Sequence, residues 1–445
     1  MYDEKIEELI REKKYVQLRD ELSEMNSVDV ADILSSMDIH IALILFRMLP
    51  KDVAVEVFSE FSGDMRKELI GLITDKEIKD IVDELYFDVR VDVIEEMPAN
   101  IVKKILRNTK EDERKLINQF LKYPQDSAGS LMTIEYVELK KEMAVKEAMK
   151  HIKETGLDKE TVYTCYVTGK NRKLEGIVSL RKLVISEEDE IIENIFDEDV
   201  IYVSTHDDQE TVAGIFKRYG FLALPVVDNE NRLTGIITVD DIMEVIDQET
   251  TEDFQKMAAM SPSEEPYLET NTFTLAKHRI IWLLVLMISA TFTGGIIRRY
   301  EDLLQSAVLL TAFIPMLMDT GGNAGSQSST LIIRGLALGD IKLRDSWRII
   351  WKEFKISIIV GITLAFANFL RIYFLEKVDF AVALTVSVTL FATVVVSKII
   401  GGILPIVAKK VNIDPAIMAG PLITTIVDAI SLIVYFSMAS WILGL

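Results

Sequence analysis

The residues best suited to chemistry in this chain are carboxylates and amides that interrupt apolar sequence. Asp428 stands among Thr424, Thr425 and Ser431 in the last apolar stretch. A carboxylate in such a stretch is expensive to bury and marks a functional site by default. Its structural alternative is a partnership with Lys398, in the stretch before it. Asp414 lies 14 residues earlier than Asp428. On one continuous helix the two carboxylates would point within about 40° of each other, ~21 Å apart along the axis. Pro421 between them would kink that helix or free a carbonyl. Asp319, Asn323, Gln327 and Thr330 recur at spacings of four, four and three, which places them on one helix face. Gly321, Gly322 and Gly325 permit close helix approach or local unwinding. A packing seam and a polar lining are both compatible with this run. Side chains offering only oxygen at membrane depth suit a hard cation.

These residues need a membrane domain to hold them. Five apolar spans are predicted, at about 280–297, 303–336, 356–374, 380–408 and 415–442. Lys277, Arg279, Arg334, Lys342, Arg344, Arg348, Lys352, Lys355, Lys409 and Lys410 flank the ends predicted to be cytoplasmic. The opposite connections carry mixed charge, so the carboxy terminus is expected outside the cytoplasm. From Asn271 onward there are 15 Lys+Arg and 10 Asp+Glu, a net charge of +5; the first 270 residues therefore carry −26 within the total of −21. Such an acidic amino part favours cations and argues against nucleic acid as a partner. The opening Met1-Tyr-Asp-Glu-Lys-Ile-Glu-Glu8 has no apolar leader, which predicts a cytoplasmic soluble part in a cytoplasmic (inner) multi-pass membrane protein. A single Cys165 excludes an internal disulfide, and four scattered histidines show no zinc pattern.

The soluble part contains an internal repeat. Tyr163–Ser179 and Leu222–Thr238 both read as strand, polar turn, Leu-x-Gly and strand, with Gly176 and Gly235 at the same place 59 residues apart. Residues 1–125 lack strand patterning and carry short amphipathic repeats such as Asp80-Ile-Val-Asp-Glu-Leu85 and Asp92-Val-Ile-Glu-Glu-Met97, which predict a small helical superhelix. The stretch 240–270 reads as a connecting helix crowded with carboxylates: Asp241, Glu244, Asp247, Glu249, Glu252 and Asp253. Like charges at i,i+3 and i,i+4 repel, so cations bound against a facing acidic surface would relieve the helix. Asp88 and Asp92, at i,i+4, could supply that surface. A merely solvated acidic linker is the alternative.

The repeat resembles a tandem pair of CBS domains, over 126–186 and 187–247, which implies a nucleotide- or ion-sensing module that dimerises. The resemblance assigns a ribose-holding role to the Asp of Gly-x-x-[Ser/Thr]-x-x-Asp. The second copy has it as Gly235, Thr238 and Asp241, whereas the first has Lys182 at that position. One ATP or ADP per module, on Thr238 and Asp241, is the expectation. The order of parts, with Gly321-Gly-Asn-Ala-Gly-Ser-Gln327, Asn412–Pro421 and Thr424-Thr-Ile-Val-Asp428, resembles the MgtE family of magnesium channels over essentially the whole chain. The resemblance implies a multidomain fold: an all-α acidic N-terminal domain (1–125), an α/β CBS pair, a connecting plug helix and an all-α membrane domain (271–445) of five helices. It also implies a homodimer in the lipid bilayer with its path between the two membrane halves. In that path Asp428 of both subunits holds hydrated Mg²⁺, Asp414 lies at the cytoplasmic mouth, and Asp319, Gly322, Asn323, Gly325, Gln327, Thr424 and Thr425 line the way. By the same resemblance Asp88, Asp92, Glu56, Asp241, Glu244, Asp247, Glu249, Glu252 and Asp253 bind regulatory Mg²⁺ that closes the gate. Asp241 is thus claimed by both the nucleotide motif and the metal pattern.

Two other readings stand beside this one. An ion-coupled secondary transporter of divalent cations is weakly disfavoured by the lack of an inverted repeat. A CBS-type sensing receptor without flux leaves Asp428 and the glycine-rich run unexplained. No nucleophile–base pair or phosphate loop points to an enzyme.

Overall fold

The computed structural model describes residues 2–12, 14–263, 267–268 and 270–444, so 264–266 and 269 of the predicted connecting stretch lie outside the described residues. The chain forms two compact units, 1–245 and 246–445, whose boundary falls inside a helix.

In the first unit, short helices run from α1 (Tyr2–Arg11) and α2 (Tyr15–Glu24) through α3 (Ser27–Ser35), α4 (Ile39–Phe46), α5 (Lys51–Glu60), α6 (Gly63–Leu72), α7 (Asp75–Val82), α8 (Phe87–Glu96) and α9 (Ala99–Asn108) to α10 (Glu111–Phe120). Helices of about ten residues are marginal alone, and here each packs on the helix two further along: α3 on α5, α4 on α6, α5 on α7, α6 on α8, α7 on α9. That pairing builds the expected superhelix. Asn26, Asp38 and Ser62 cap three of the helices by accepting backbone N–H bonds. Thr74 and Glu77 form a capping box, and Arg47 donates to the same Glu77 at 2.8 Å. Leu34, Leu45, Phe58, Phe61 and Leu69 fill the seam.

The repeat then folds twice. After α11 (Ala128–Leu131), the first copy has β1 (Val137–Leu139), α12 (Val145–Thr155), β2 (Thr164–Thr168), β3 (Leu174–Ser179) and α13 (Leu180–Ile185). The second has β4 (Val203–Ser204), α14 (Gln209–Tyr219), β5 (Ala223–Val227), β6 (Leu233–Thr238) and α15 (Val239–Met257). Each sheet has order first–second–third, one parallel and one antiparallel pairing, and a register shift at the equivalent place, Val167/Thr168 and Val226/Val227. The sheet edges are exchanged: Thr133, ahead of the first copy, bridges Ile236 of the second, and Asp197, ahead of the second, bridges Ile177 of the first. The repeated glycines serve this exchange. A Cβ on Gly176 would lie 2.6 Å from the Asp197 carbonyl oxygen, and one on Gly235 2.6 Å from that of Thr133.

The second unit contains α16 (Thr272–Arg299), α17 (Glu301–Ser306), α18 (Ile314–Ala337), α19 (Ser346–Leu370), α20 (Phe380–Lys410) and α21 (Gly420–Leu443). Among the described residues, four helices are long and apolar enough to cross a membrane: α16, α19 with its flanking turns, α20 and α21. The span expected at 303–336 is not one helix. It breaks at Ala307 (φ −139°, ψ 70°), passes through a 3-10 turn, Val308–Phe313, and restarts as α18 with Pro315 in its first turn, where a missing N–H costs nothing. The resulting helix has 24 residues, about 36 Å by its rise. α19 starts ten residues before the span predicted at 356–374 and so draws Glu353 inside.

α18 packs mainly on α20 and α21, α19 on α20, and α16 on α21. Leu310, Phe313, Leu317, Val386, Leu390, Leu432 and Phe436 form the core, and the buried Tyr435 hydroxyl donates to the Leu310 carbonyl at 2.9 Å, fixing the 3-10 turn. The closest crossing is backbone on backbone: a Cβ on Gly401 would stand 2.2 Å from the Gly325 carbonyl oxygen. Gly401→Ala should therefore destabilise the membrane unit by about 1–3 kcal/mol, the usual penalty for overpacking. Gly294→Ala and Gly295→Ala, which meet nothing within 4 Å, should be neutral. Thermal unfolding in detergent checks the contrast, and equal melting temperatures would refute it.

Candidate cation sites

α18 has two faces. Gly321 and Gly322 are buried, against Thr393 and Ser431 and against Thr424 respectively, and Gly325 is buried against Val427 and the Ser397 carbonyl. Asp319, Asn323, Gln327 and Thr330 are exposed on the other face of the single chain. Gly322 and Gly325, expected among the lining residues, are instead packing residues, because only a missing side chain admits the neighbouring helices. The four polar residues keep the shared face that their spacing predicts.

Asp428 is half-buried on α21, and its Oδ1 is buried without a hydrogen-bond partner. The hydroxyls of Thr393 and Ser431 are likewise buried and unpartnered, whereas Thr424 and Thr425 donate to Gly420 and Pro421 carbonyls of their own helix at 2.9 Å. Lys398 does not pair with Asp428. Its Nζ reaches Gln327 Oε1 at 3.4 Å and Ser328 Oγ at 3.5 Å, and Ser328 in turn donates to Glu353 Oε2 at 2.6 Å. Lys398, Ser328 and Glu353 are all less than a tenth exposed, so three helices share one hydroxyl-bridged pair of opposite charges. Glu353 escaped the sequence reading because Lys352 and Lys355 on either side make it look like a polar connection.

The common helix face predicted for Asp414 and Asp428 does not exist. Asp414 caps a 3-10 turn, Pro415–Met418, by accepting from Ala416 N at 2.8 Å; Ala419 is extended, and α21 begins only at Gly420. Pro421 starts that helix rather than kinking it. Two prolines and Gly420 at φ +41° make a continuous helix impossible here. Asp414 Oδ2 instead accepts from Lys256 Nζ at 2.6 Å, and Lys256 also pairs with Glu252 Oε1 at 2.5 Å. Burial opposes the lysine charge, but the bonds to Asp414 and Glu252 outweigh it and hold its pKa above the ordinary value. Asp253 is pushed up to about 6, by burial first and then by the charge of Asp414. Of the remaining α15 acids, Glu244 and Asp247 are exposed and Glu249 is half-buried.

In the first unit, Asp88 and Asp241 come together with two acids the sequence reading missed, Glu135 and Glu160. Asp88 is 8% exposed and accepts from Val89 N; Asp241 accepts from the Thr238 hydroxyl at 2.6 Å. Glu135 Oε2 and Glu160 Oε2 are buried without partners. Burial raises all four pKa values. Glu160 rises to about 8, with Asp88, Asp241, Asp240 and Glu135 adding repulsion. Asp241 rises to about 7, with Asp88 the largest charge upon it, and Asp88 to about 6. Asp92 and Glu56 are exposed outside this pocket. Among the described residues no three acids, histidines or cysteines are gathered tightly enough to form a ready cage for a metal. Loose carboxylates of this kind suit an ion that keeps its water.

The Thr238 hydroxyl donates to Asp241, whose carboxylate faces the acidic pocket. A cleft of the CBS-like pair, about 870 Å³, is lined by both copies and bounded by Tyr166, Ser179, Arg181, Asp199, Phe221 and Pro225. Lys182, at the position of the motif's aspartate, lies 3.4 Å from Asp197.

This combination of an acidic helical domain, a CBS-like pair and a polar helix face in a helical membrane unit defines a multidomain membrane transport protein. Family models match accordingly: the MgtE intracellular N domain over residues 5–126, the CBS domain over 128–187 and 192–248, and the MgtE divalent cation transporter over 314–438. The chain is 33% identical over 446 residues to magnesium transporter MgtE of Thermus thermophilus, covering 98% of each, and 31% identical to that of Bacillus subtilis over 97% of this chain and 95% of the relative. It is similar to the crystal structure of the soluble part of a magnesium transporter (TM-score 0.52, 30% identity, 56% of this chain and 97% of that one). It is similar also to the cytosolic domain of the Mg²⁺ channel MgtE in complex with ATP (TM-score 0.52, 31% identity, 54% and 98%). The chain belongs to the MgtE family.

The acidic pocket makes stability depend on pH. A carboxylate whose folded pKa is raised stabilises the fold at low pH, and that contribution is lost as pH rises through the folded value. Without divalent cations, the melting temperature of the soluble unit should fall between about pH 4, the unfolded carboxylate value, and about pH 8, as the contributions of Asp88, Asp241 and Glu160 are lost in turn. Millimolar Mg²⁺ should restore it at pH 8. A melting temperature flat across this range would show that the acids do not repel one another.

Proposed function

We propose that this chain carries Mg²⁺ across the cytoplasmic membrane into the cell, through a path between two copies lined by α18 and α21, and that its acidic soluble part closes the path when cytoplasmic Mg²⁺ is high. The observation that carries the reading is the open polar face of α18 beside the unpartnered Asp428 oxygen. Lipid satisfies neither amides nor carboxylates, so that face needs a water-filled path and a second copy opposite it. Asp428 of each subunit then contributes one negative charge to a shared ion. Mg²⁺ sheds water reluctantly; hydrated, it is matched by carboxylate and threonine oxygens held apart rather than by a tight cage.

Gating follows from charge. Asp88 is buried and Asp241 half-buried, and each adds repulsion to Glu160; Asp92, Glu244, Asp247, Glu249, Glu252, Asp253 and the weaker Glu56 add negative surface. Mg²⁺ bound among them favours the packed, closed arrangement; without it they repel and α15 is released. The ion shifts the gate only by its differential affinity for the two states. The CBS cleft fits an adenine nucleotide: Tyr166 and Phe221 offer aromatic faces, Arg181 a phosphate partner, and Ser179 and Asp199 polar contacts. ATP bound there would brace the exchanged sheet edges.

Mg²⁺ flux into proteoliposomes tests the path. Asp428→Ala should lower flux at least about tenfold, a loss of ~1.4 kcal/mol or more; native-like flux in a folded variant would sink the reading. Neutralising Asp88, Asp92 and Asp247 together should raise the cytoplasmic Mg²⁺ needed for inhibition, and unchanged inhibition would refute the gating role. For the cleft, calorimetry should show ATP binding weakened on the order of tenfold by Phe221→Ala.

A further inference from the structure

The last turn of α15 sets a fixed positive charge against the segment that leads into α21. Lys256 spans Asp414 and Glu252, at 2.6 and 2.5 Å, with side chains 21%, 32% and 36% exposed. It satisfies Asp414 Oδ2 while Ala416 N satisfies Oδ1, so the carboxylate has both oxygens engaged. The next residue completes the seat. Met257 packs against Ile333, Ala416 and Ala419, and its carbonyl oxygen lies 2.6 Å from the point a Gly420 Cβ would occupy. The end of α15 is thus held by an apolar patch, a close backbone approach and one ion pair. Around that ion pair Glu249 and Asp253 add further negative charge, so Lys256 is the only cation that the described residues place on Asp414.

We propose that Lys256 is a tethered cation that occupies Asp414 in the closed form and leaves it on opening, so that the lysine and an arriving divalent ion compete for one carboxylate. The inference rests on the reading of α15 as the gate and Asp414 as the mouth of the path. It adds a consequence that carboxylate-bound metal alone lacks. Lys256 lessens the repulsion that releases the end of α15 when divalent cation is absent, because one acidic side chain is already neutralised from within the chain. Regulatory Mg²⁺ then has only the remaining repulsion to overcome, and the lysine sets the concentration at which the gate closes. An ion that captures Asp414 opposes closure, since occupancy by the ion and by the lysine exclude each other.

Two readouts on the full-length protein test this. In proteoliposomes, with each variant's flux at the lowest cytoplasmic Mg²⁺ as its own reference, Lys256→Met should raise the half-inhibiting Mg²⁺ concentration at least about fivefold, within the usual range of coupling energies. Lys256→Arg, which keeps the charge, should stay near native. In chelator, hydrogen exchange of the amides over 252–259 should quicken in Lys256→Met and not in Lys256→Arg. An unchanged threshold in a conducting Lys256→Met variant overturns the inference while leaving the transport reading intact. Unchanged exchange overturns it too, as does a threshold that Arg fails to rescue. A native protein without flux overturns the transport reading, and the exchange comparison then still reports whether the lysine holds α15 down.

Discussion

Negative charge short of positive charge is the constraint on which this structure depends. The soluble unit buries Asp88 and leaves one oxygen each of Glu135 and Glu160 unpartnered, so its packing is incomplete without a proton or a cation. A buried, uncompensated carboxylate is far costlier than one in water. The acids sit on separate elements, at α8, ahead of β1, after α12 and in the first turn of α15.

The membrane unit solves the same problem in three different ways. Glu353 is balanced by Lys398 through the Ser328 hydroxyl, which lets two opposite charges lie deep among α18, α19 and α20. Asp414 is balanced by Lys256 from a neighbouring helix end. Among the described residues Asp428 Oδ1 has no such partner, and Asp428 lies within electrostatic reach of Asp319 on the polar face of α18. The glycines of α18 make this arrangement possible, since their packed face fixes the helix while the opposite face stays polar.

Much of this was legible in the residues. The spacing of Asp319, Asn323, Gln327 and Thr330 determines a helix face whatever the surroundings, and Gly176 and Gly235 mark equivalent strands because the repeat carries its own alignment. What was hidden depends on local breaks and on distant partners. Ala307 and the Asp414–Gly420 segment interrupt helices at sites where hydropathy stays high, so a window average runs through them. Glu353 and Lys256 are ordinary residues in charged stretches, and only the fold supplies Ser328 and Asp414 as their neighbours. Thr238 and Asp241 fit a sequence pattern, and only the fold adds that they hydrogen-bond each other and that Asp241 lies near Asp88.

The exchanged edges of the CBS-like pair bear on how the chain is made. Thr133 and Ile236 hydrogen-bond to each other in both directions, at 2.8 and 2.9 Å, although one belongs ahead of the first copy and the other to the last strand of the second. During synthesis the first sheet can form its own three strands, but the segment ahead of it has no place to settle until about a hundred more residues have emerged, some 5–20 s at ordinary rates of elongation. Neither copy is a finished module by itself. The pair matures as one piece, and only then does β6 run on into α15, so the element that reaches the membrane unit is completed last among the soluble parts.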